Sequence, residues 1–264
     1  MIIKRSFNKN ADQYSKHNRL QRFAAQNLAS LIKDEGSLTY QSYLDLGIGD
    51  ATLTALLKEY INLERIVGVD IAFNMAKLAK EKLQSSLILQ GDAEKLPLRS
   101  GSFEIVASSL MLQWIADLDR LFLEIGRILK TNGKLFFVTL GAKSLIEIDY
   151  SIKEALRVTN RSVELNHLHN FHTEEKLTEA LTKSGFNTVT VYSEPKRSYY
   201  SDVKMLLKSI KGVGASSGYA LSRHGLGRRQ IMDQFLDIYS RNFSTSANNV
   251  YATYNLLYFH ATLR

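Results

Sequence analysis

The sequence LDLGIGDA at residues 44–51 follows a short apolar run and precedes a segment with helical spacing. Glycine allows a tight backbone turn and a close approach of the backbone to a ligand. Gly47 and Gly49, at the end of a predicted strand, therefore indicate a strand–turn–helix unit of the kind that holds nucleotide-like ligands. Because the stretch has only two glycines, an ordinary tight turn remains an alternative interpretation.

Apolar runs and helical patterns alternate along the chain on both sides of this turn. Strand-like runs occur at 43–46, 66–69, 87–89, 103–107 and 135–140, with helical patterns at 51–60, 73–84 and 117–130. This alternation is typical of βαβ units and a parallel sheet. Later strand patterns at 187–193 and 250–263 have no full crossover between them, which predicts an antiparallel last strand. We therefore expect an α/β fold with a doubly wound, seven-stranded, mostly parallel sheet.

The composition is that of an ordinary globular chain, with 264 residues, 45% of them hydrophobic and 23% charged. The absence of cysteine excludes disulfides, thiolate zinc sites and a cysteine nucleophile. The first residues lack the apolar stretch of a secretory signal, and no window has the roughly 18 apolar residues of a membrane span. We expect a cytoplasmic, soluble monomer without a membrane partner. His167 and His169 are two residues apart, which is not a zinc-site spacing, so no metal site is expected.

The net charge of +8 is concentrated at the two ends of the chain. Residues 1–35 contain seven Lys or Arg against three Asp or Glu, and residues 195–264 contain ten against three. A basic surface suits a nucleic acid, an anionic lipid or an acidic protein as partner. Solvated helix faces would give the same distribution, so both interpretations are open at this point.

Acidic residues stand at the ends of three successive predicted strands. Asp45 ends the first strand and Asp92 follows the third. Asp70 ends the second strand, 21 residues after Gly49, which is the distance at which such folds hold a ribose diol. A carboxylate such as Asp92 can accept a hydrogen bond from an adenine amino group. Because ligands of open α/β sheets bind beyond the carboxyl ends of the strands, these residues predict one nucleoside-binding crevice.

These motifs, in this order, resemble those of class I S-adenosylmethionine-dependent methyltransferases. The matching stretches are DLGIG at 45–49, GVD at 68–70, GDAEKLP at 91–97 and SFE at 102–104. Thr52 stands where a dinucleotide-binding motif has its third glycine, which argues against an NAD enzyme. The sequence departs from the commonest methyltransferase motif at Ile48 and Ala51. The resemblance implies a Rossmann-like fold with S-adenosylmethionine as cofactor and S-adenosylhomocysteine as product.

The flanking segments resemble one family of that class, the biotin-pathway malonyl-[acyl-carrier protein] O-methyltransferases (BioC). They are FNxxAxxY at 7–14, HxxLQR at 17–22, SLxLQW at 109–114, TLGxxSLxE at 139–147, LKxIKGVGA at 207–215, GLG at 225–227 and ATYN at 252–255. This resemblance implies methyl transfer to the free carboxylate of a malonyl group on acyl carrier protein, early in biotin synthesis. A carboxylate is already ionised at neutral pH, so the reaction needs no general base, and the sequence shows no catalytic dyad or triad.

The resemblance also assigns residues to the cofactor. The glycine turn would hold the methionine part, with Asp45 near its amino group, and Asp70 would bind the ribose hydroxyls. The expected cofactor contacts are Tyr14, Asp45, Gly47, Gly49, Asp70, Ile71, Met75, Asp92, Ala93 and Ser108. Tyr14, Ser108 and Ser109 are expected near the methyl group in positioning roles. Met75 is interpreted equally well as a core residue, and Tyr14 as a half-buried helix residue.

An acidic carrier protein would give the two basic chain ends a partner. The expected carrier contacts are Arg19, Arg22, Lys204, Lys208, Lys211, Arg228 and Arg229. Phe171 is expected to line the acyl entrance, with ordinary packing as the alternative. Which of the basic residues touches the carrier is left open by the sequence.

The chain is interpreted as a single methyltransferase domain over residues 1–264, since no linker, repeat or low-complexity tract divides it. Its parts are a helical lid at 1–40, with a helix at 15–33, and a cofactor-binding core at 41–141. A helical insertion is expected at 142–172. The C-terminal part of the sheet and the substrate-side helices, at 173–184, 202–211 and 227–241, are expected within 173–264.

Two other functions stay open on the sequence. One is a methyltransferase for another small acid or for a nucleic acid base, and the other is a non-catalytic assembly factor of the same fold. Base-modifying methyltransferases often carry N/D-P-P-Y/F after the fourth strand, whereas residues 108–111 are SSLM, so no nucleic acid partner is expected. Ala51, in place of a third glycine, leaves room for the assembly factor.

Overall fold

A computed structural model of the protein describes residues 2–161, 171–212 and 228–264. Its strands are, in chain order, β1 (Thr39–Tyr40), β2 (Tyr43–Leu46), β3 (Asn62–Leu63), β4 (Ile66–Asp70), β5 (Leu87–Gln90), β6 (Phe103–Ser109), β7 (Leu129–Leu140), β8 (Phe186–Tyr200) and β9 (Val250–Leu263). β1 and β3 pair with each other, and the other seven strands form one sheet in the order β5-β4-β2-β6-β7-β9-β8.

The direction of the strands confirms the predicted topology. β9 is antiparallel to both of its neighbours, β7 and β8, whereas the remaining neighbours in the seven-stranded sheet are parallel. The chain moves outward from β2 to β4 and β5, and then returns to β6 on the other side of β2. This reversal of strand order opens a crevice beyond the carboxyl end of β2, where ligands of doubly wound sheets bind.

Helices cover both faces of this sheet. They are, within the described residues, α1 (Ile2–His17), α2 (Arg19–Asp34), α3 (Thr52–Leu57), α4 (Phe73–Lys82), α5 (Leu118–Ile128), α6 (Ile146–Val158), α7 (Glu174–Lys183), α8 (Val203–Gly212) and α9 (Arg228–Asn242). The single helix predicted at 15–33 is wrong, because α1 ends and α2 begins on either side of Asn18. The Asn18 backbone leaves helical geometry (φ −85°, ψ 26°), and its buried side chain is hydrogen-bonded to Asp50.

The core lies on both faces of the sheet. On β7, Phe136 packs among residues of α2, α6, α8 and α9, and the adjacent Phe137 packs among residues of α5 and α7. Strands that are covered on both faces have few polar positions and appear as nearly continuous apolar runs. This explains why the strand positions were predictable from hydrophobicity.

Local capping fixes the start of α5 where the sequence predicts it. The side chain of Asp117 accepts a hydrogen bond from the Arg120 amide at 3.0 Å, which satisfies a free N–H group of the first turn. Helical spacing then buries one face of α5 against the sheet, with Leu118, Leu121, Phe122, Ile125 and Ile128. Thr173 caps α7 in the same way.

β8 is longer than the strand predicted at 187–193. It continues to Tyr200 as the edge strand, paired to β9 along its length. Pro195 and the charged residues after it disfavour a strand in the sequence. An edge strand tolerates proline because one side of its backbone has no pairing partner.

Two segments with predicted features fall outside the described residues. Residues 162–170 complete the expected insertion, of which α6 is the described helical part, and residues 213–227 include the end of the LKxIKGVGA segment and the GLG segment. In the described parts of the chain, no helix combines the length and apolar character needed to cross a membrane. The internal boundaries proposed within 1–264 stay predictions.

Candidate active site

The turn after β2 contains three residues with left-handed backbone geometry. Gly47, Gly49 and Ala51 have φ angles of +76°, +56° and +60°. The Gly47 amide donates to the carbonyl oxygen of Val69 on β4 at 2.8 Å. A Cβ atom on Gly47 would lie 2.6 Å from Met111 Cγ, so this position requires glycine. Ala51 adopts the conformation that glycine favours at the position where the sequence departs from the methyltransferase motif.

Asp70 ends β4 beside this turn. Its carboxylate oxygens accept hydrogen bonds from the amides of Gly49 at 3.0 Å and Ala72 at 2.8 Å. Burial raises the pKa of Asp70 to about 6, and the two amide hydrogen bonds oppose that shift. The structure thus brings together Gly49 and Asp70, which the sequence analysis placed in one crevice. The ribose contact of Asp70 stays a prediction.

Asp45 lies behind the turn. Its side chain is only 1% exposed and accepts a hydrogen bond from Thr54 Oγ1 on α3 at 2.6 Å. Burial raises the pKa of Asp45 to about 7, against the hydrogen bonds from Thr54 and Tyr43. A carboxyl group this deeply buried has almost no surface that a ligand could contact. Its hydrogen bond with Thr54 favours a structural role, in which Asp45 joins β2 to α3. Its predicted position near the methionine amino group stays a prediction.

The residues expected around adenine lie at the ends of β4 and β5. Ile71 is 40% exposed, although it is a large apolar residue. Asp92 is exposed, and its Oδ1 accepts a hydrogen bond from the Glu94 amide at 3.0 Å. Ala93 is half-buried and packs against the core. The predicted adenine contacts of Asp92 and Ala93 and the predicted cofactor contact of Ile71 stay predictions.

Tyr14 on α1 lies over the glycine turn. A Cβ atom on Gly49 would lie 3.9 Å from the Tyr14 hydroxyl and 3.7 Å from Met75 Cε. Met75 is buried in a small cluster with Ala11 and Ala72, against which Tyr14 packs. Burial raises the pKa of Tyr14 well above its ordinary value, and the carboxylates of Asp50 and Asp70 raise it further. Tyr14 therefore stays neutral beside the turn.

The FNxxAxxY segment fixes α1 in this position. Asn8 Oδ1 accepts from the Asn74 amide in the first turn of α4 at 2.8 Å, and Asn74 Nδ2 donates to the Asn8 carbonyl at 2.9 Å. Phe7 packs edge-on against Trp114, with ring centroids 5.9 Å apart. These contacts give the predicted N-terminal lid its attachment to the core.

Asp50 is a site residue that the sequence analysis missed. It is buried and accepts hydrogen bonds from Asn18 Nδ2 at 3.3 Å, Thr52 Oγ1 at 2.6 Å and Lys82 Nζ at 3.1 Å. Asp50 thereby joins the α1–α2 junction to the glycine turn. Its position directly after Gly49 was the available signal, but its main partner is 32 residues away.

Ser108 and Ser109, which are expected near the methyl group, lie at the end of β6. Ser108 is fully buried, and its hydroxyl donates to the Leu46 carbonyl at 2.7 Å, so it joins β6 to β2. This geometry counts against a contact of the Ser108 hydroxyl with the cofactor or its methyl group. Ser109 is half-buried at the strand end. The next residue, Leu110, has a left-handed φ of +53°, which is strained for leucine.

A cavity of about 700 Å³ is bounded by Tyr14 on the side of the glycine turn. Its wall is rich in aromatic and aliphatic side chains, including Phe7, Leu110, Trp114 and Phe171. Phe171 lines the cavity, and its predicted role at the acyl entrance stays a prediction. Residues 196–201 of β8 and the following turn also line the cavity, and the sequence analysis missed them.

Comparison with known proteins identifies the family. A family model described as methyltransferase domain matches residues 44–137. A malonyl-[acyl-carrier protein] O-methyltransferase of Geobacter sulfurreducens is 31% identical over 97% of this chain and 96% of its own. The chain belongs to the malonyl-[acyl-carrier protein] O-methyltransferase family. This confirms the family resemblance and the class I methyltransferase assignment.

Two further similar proteins have names that differ from that of this family. A mitochondrial arginine-hydroxylase of Homo sapiens is 31% identical over 81% of this chain and 61% of its own length. The solved structure of Haemonchus contortus phosphoethanolamine N-methyltransferase 2, in complex with S-adenosylhomocysteine, has a TM-score of 0.56 and 21% identity. It covers 90% of this chain and 52% of that chain. This likeness shows the shared fold.

The residues of the family segment TLGxxSLxE hold one wall of the cavity. Glu147 is buried, and its carboxylate accepts the Thr253 amide at 3.1 Å. Ser144 Oγ accepts the Asn255 amide at 2.9 Å. Leu145 and Tyr254, which line the cavity, lie between these contacts. The geometry therefore favours a structural role for this segment and for ATYN.

The predicted carrier contacts separate into two groups. Arg19 lines the cavity. Exposed positions away from its wall are Arg22 on α2, Lys204, Lys208 and Lys211 on α8, and Arg229 on α9. The side chain of Arg228 lies outside what the structure describes. Lys196 and Arg197, which the sequence analysis did not select, line the cavity as well.

Within the described ranges, no group of three or more His, Cys, Asp or Glu residues is arranged to hold a metal ion. His167 and His169 lie outside those ranges. The described His172 is buried beside Phe171, with Nε2 2.9 Å from the Ile115 carbonyl oxygen. This contact orients the ring beside Phe171, which lines the cavity.

Proposed function

We propose that this protein transfers a methyl group from S-adenosylmethionine to the free carboxylate of a malonyl group on acyl carrier protein. The observation that carries the proposal is the 31% identity to a family member over 97% of the chain. The geometry supports it, because Tyr14 lies between the glycine turn and an apolar cavity large enough for an acyl chain. The reaction belongs early in biotin synthesis.

The residues around the turn suit S-adenosylmethionine. The glycine turn is proposed to hold the methionine part, and the Asp70 carboxylate is an acceptor for ribose hydroxyls. The exposed Ile71 offers an apolar surface to adenine. When bound, S-adenosylmethionine supplies an electrophilic methyl group on a positively charged sulfur.

The protein's own contribution is positioning. A malonyl carboxylate, with a pKa near 4, needs no base at neutral pH. The apolar cavity removes water from the carboxylate, and the fixed wall aligns it with the methyl group. Gln113 illustrates this fixation, since its amide donates to the Leu110 carbonyl at 2.8 Å and accepts from Thr139 Oγ1 at 3.2 Å.

The carrier protein is proposed to dock on the lysine face of α8. Lys204, Lys208 and Lys211 are spaced four and three residues apart, so they lie on one side of the helix. Met205 and Ser209 of the same helix line the cavity. An acidic carrier bound to this face would therefore stand beside the cavity entrance.

Transfer of labelled methyl groups tests the proposal directly. We expect turnover on malonyl carrier protein and malonyl-CoA, and none on acetyl carrier protein, which lacks the carboxylate. Equal turnover on free small acids would instead indicate another small-acid methyltransferase. Cofactor binding by calorimetry without transfer to any acid would favour the non-catalytic assembly factor, or an activity like that of the arginine-hydroxylase relative.

The cellular role has its own test. The gene should restore growth without biotin to a bacterial strain that lacks its own enzyme. We propose a cytoplasmic monomer, which cell fractionation and analytical ultracentrifugation would check.

A further inference from the structure

The cavity contains positive charge without matching negative charge. Among its described lining residues, Arg19, Lys196 and Arg197 are cationic, and none is Asp or Glu. An anionic group that enters an apolar cavity loses its hydration, and only a cation or hydrogen-bond donors can offset that cost. The cavity is therefore suited to a substrate with a negatively charged end.

Two of these cations are already engaged. Lys196 Nζ stands 3.9 Å from the ring centroid of Phe23, and Arg197 Cζ stands 4.6 Å from that of Tyr251. In the described part of the chain, Arg19 has no ion pair and no ring partner. Arg19 is thus the cavity cation that, among the described residues, neither stacks on a ring nor pairs with a carboxylate.

Of the three cations that line the cavity, Arg19 is the closest in sequence to the glycine turn. It begins α2 directly after Asn18, which is hydrogen-bonded to Asp50 of the turn. Tyr14, which lies over Gly49, lines the same cavity. A carboxylate held by Arg19 would therefore lie on the side of the cavity that faces the glycine turn.

Two neighbouring features favour an anion at the same place. The first turn of α2 has no side-chain cap, so its free N–H groups and the positive end of the helix dipole remain available. Gln21, which also lines the cavity, has a buried Oε1 with no hydrogen-bond partner among the described residues. Rotating the Gln21 side-chain amide by 180° would exchange its oxygen and nitrogen, and its NH₂ group would then be the hydrogen-bond donor at this position.

We propose that Arg19, assisted by Gln21, binds the substrate carboxylate that becomes methylated. The inference rests on the proposed function and deepens it. A carboxylate oxygen forms the bond to the methyl carbon, the carbon–sulfur bond breaks, and its electron pair stays on sulfur. The anionic acid and the cationic sulfonium become a neutral ester and a neutral thioether, and no proton moves. The neutral ester has lost its ion pair with Arg19, so this residue selects the acid and releases the product.

Binding measurements with two ligands test this role. Malonyl-pantetheine and its methyl ester differ only in the charge that Arg19 would recognise, and both are titrated into the protein saturated with S-adenosylhomocysteine. We expect the wild-type protein to prefer the acid by roughly ten- to a hundred-fold, the range for a hydrogen bond to a charged group. Arg19→Gln should remove this preference without changing ester affinity, and Arg19→Lys should retain part of it.

Lys33→Gln is the matched control, because Lys33 is an exposed cation near the other end of α2 and does not line the cavity. It should behave as wild type, and all variants should keep their affinity for S-adenosylhomocysteine. A wild-type protein that binds acid and ester equally, or an Arg19→Gln variant that keeps the preference, would overturn the inference. Failure of wild-type methyl transfer to malonyl carrier protein, with acid binding intact, would refute the proposed function instead.

Discussion

The side-chain amide of Asn18 donates to the buried carboxylate of Asp50 across 3.3 Å. Asn18 forms the junction of α1 and α2, and Asp50 belongs to the glycine turn. Lys82 on α4 donates to the same carboxylate. One buried acidic group therefore fixes the lid, the turn and α4 relative to one another.

Asn18→Ala removes this connection. We expect S-adenosylhomocysteine to bind about tenfold more weakly, equivalent to about 1.4 kcal/mol, because a buried charged acceptor loses a donor and the lid loses its anchor. Calorimetry measures the affinity, and hydrogen exchange should show faster exchange across α1. Asn10→Ala is the control, since among the described residues the Asn10 side chain bonds to the Ser6 carbonyl within α1. Unchanged affinity together with unchanged protection of α1 would contradict this prediction.

Asp70→Ala should weaken S-adenosylmethionine and S-adenosylhomocysteine together, because both contain the ribose. Loss of a hydrogen bond to a charged group costs about 1.5–3 kcal/mol, or roughly ten- to a hundred-fold in affinity. Titration calorimetry with each ligand gives the two values. Asp34→Ala, an exposed change at the end of α2, should leave both values unchanged. A folded Asp70→Ala variant with wild-type affinity for both ligands would remove Asp70 from the site.

Stability should change in opposite directions when Ala51 is replaced by glycine and when Gly47 is replaced by alanine. Ala51→Gly relieves left-handed strain, which costs about 1–2 kcal/mol, but increases the freedom of the unfolded chain, so we expect a net gain of roughly 0–1 kcal/mol. Gly47→Ala should destabilise the protein, because its Cβ would lie 2.6 Å from Met111 Cγ. Denaturant unfolding of both variants measures this contrast. A clear loss of stability in Ala51→Gly would show that loss of the buried Ala51 methyl group, which packs in a cluster with Ile48 and Ala79, outweighs relief of strain at the φ of +60°.

The contribution of Asp45 and Asp70 to stability should fall as the pH rises from 5 to 8. Burial raises the pKa of Asp45 to about 7 and that of Asp70 to about 6, so the folded protein retains protons that the unfolded chain has already released. The stability contributed by these two carboxyl groups is therefore fully present below the unfolded pKa near 4 and is lost as the pH passes through the folded values. Thermal midpoints across this range, measured without ligand, test the slope. Asp45→Asn should flatten it and Asp34→Asn should not; equal slopes in wild type and Asp45→Asn would contradict the assignment.

Salt and charge reversal should separate the carrier protein from smaller substrates. Exposed charges at a docking surface act mainly on the encounter rate and are screened over about 8–10 Å at 0.1–0.15 M salt. Turnover of subsaturating malonyl carrier protein should therefore fall steeply with salt, and turnover of malonyl-CoA should fall less. Lys208→Glu should reduce carrier turnover and spare cofactor affinity, whereas Lys58→Glu, an exposed change beside α3, should have little effect. If Lys208→Glu leaves carrier turnover at the wild-type level, the lysine face of α8 is only a solvated surface.

The predictable part of the fold was the part controlled by burial. β2 and β9 were predicted with their observed bounds because both strands are covered on two faces and contain mostly apolar residues. The turn at Gly47 and Gly49 was predictable because its backbone geometry restricts the residue type. Capping residues such as Asp117 also act within a few residues of their own position.

The missed features depend on partners distant in the chain. Asn18 interrupts a helical pattern at the point where its side chain bonds to Asp50. No residue near Asn18 in the sequence indicates that partner. Ser108 was assigned to the cofactor because it stands at a strand end, but its hydroxyl is taken by Leu46 on the neighbouring strand. Lys196 lay beyond the strand predicted at 187–193, because edge strands need not follow an apolar pattern.

The position of β9 also imposes an order on folding while the chain is being translated. β9 lies between β7 and β8, so β8 has no place in the sheet until residues 250–263 have left the ribosome. The glycine turn and its neighbouring strands are synthesised within the first 140 residues and can pair earlier, as chains fold from the N-terminal side during synthesis. The nascent chain would therefore acquire its nucleoside crevice before its acyl chamber. Until translation reaches the final strand, the edge of β7 that will pair with β9 is unpaired. That edge, with its apolar residues, is then exposed to chaperones and to other nascent chains.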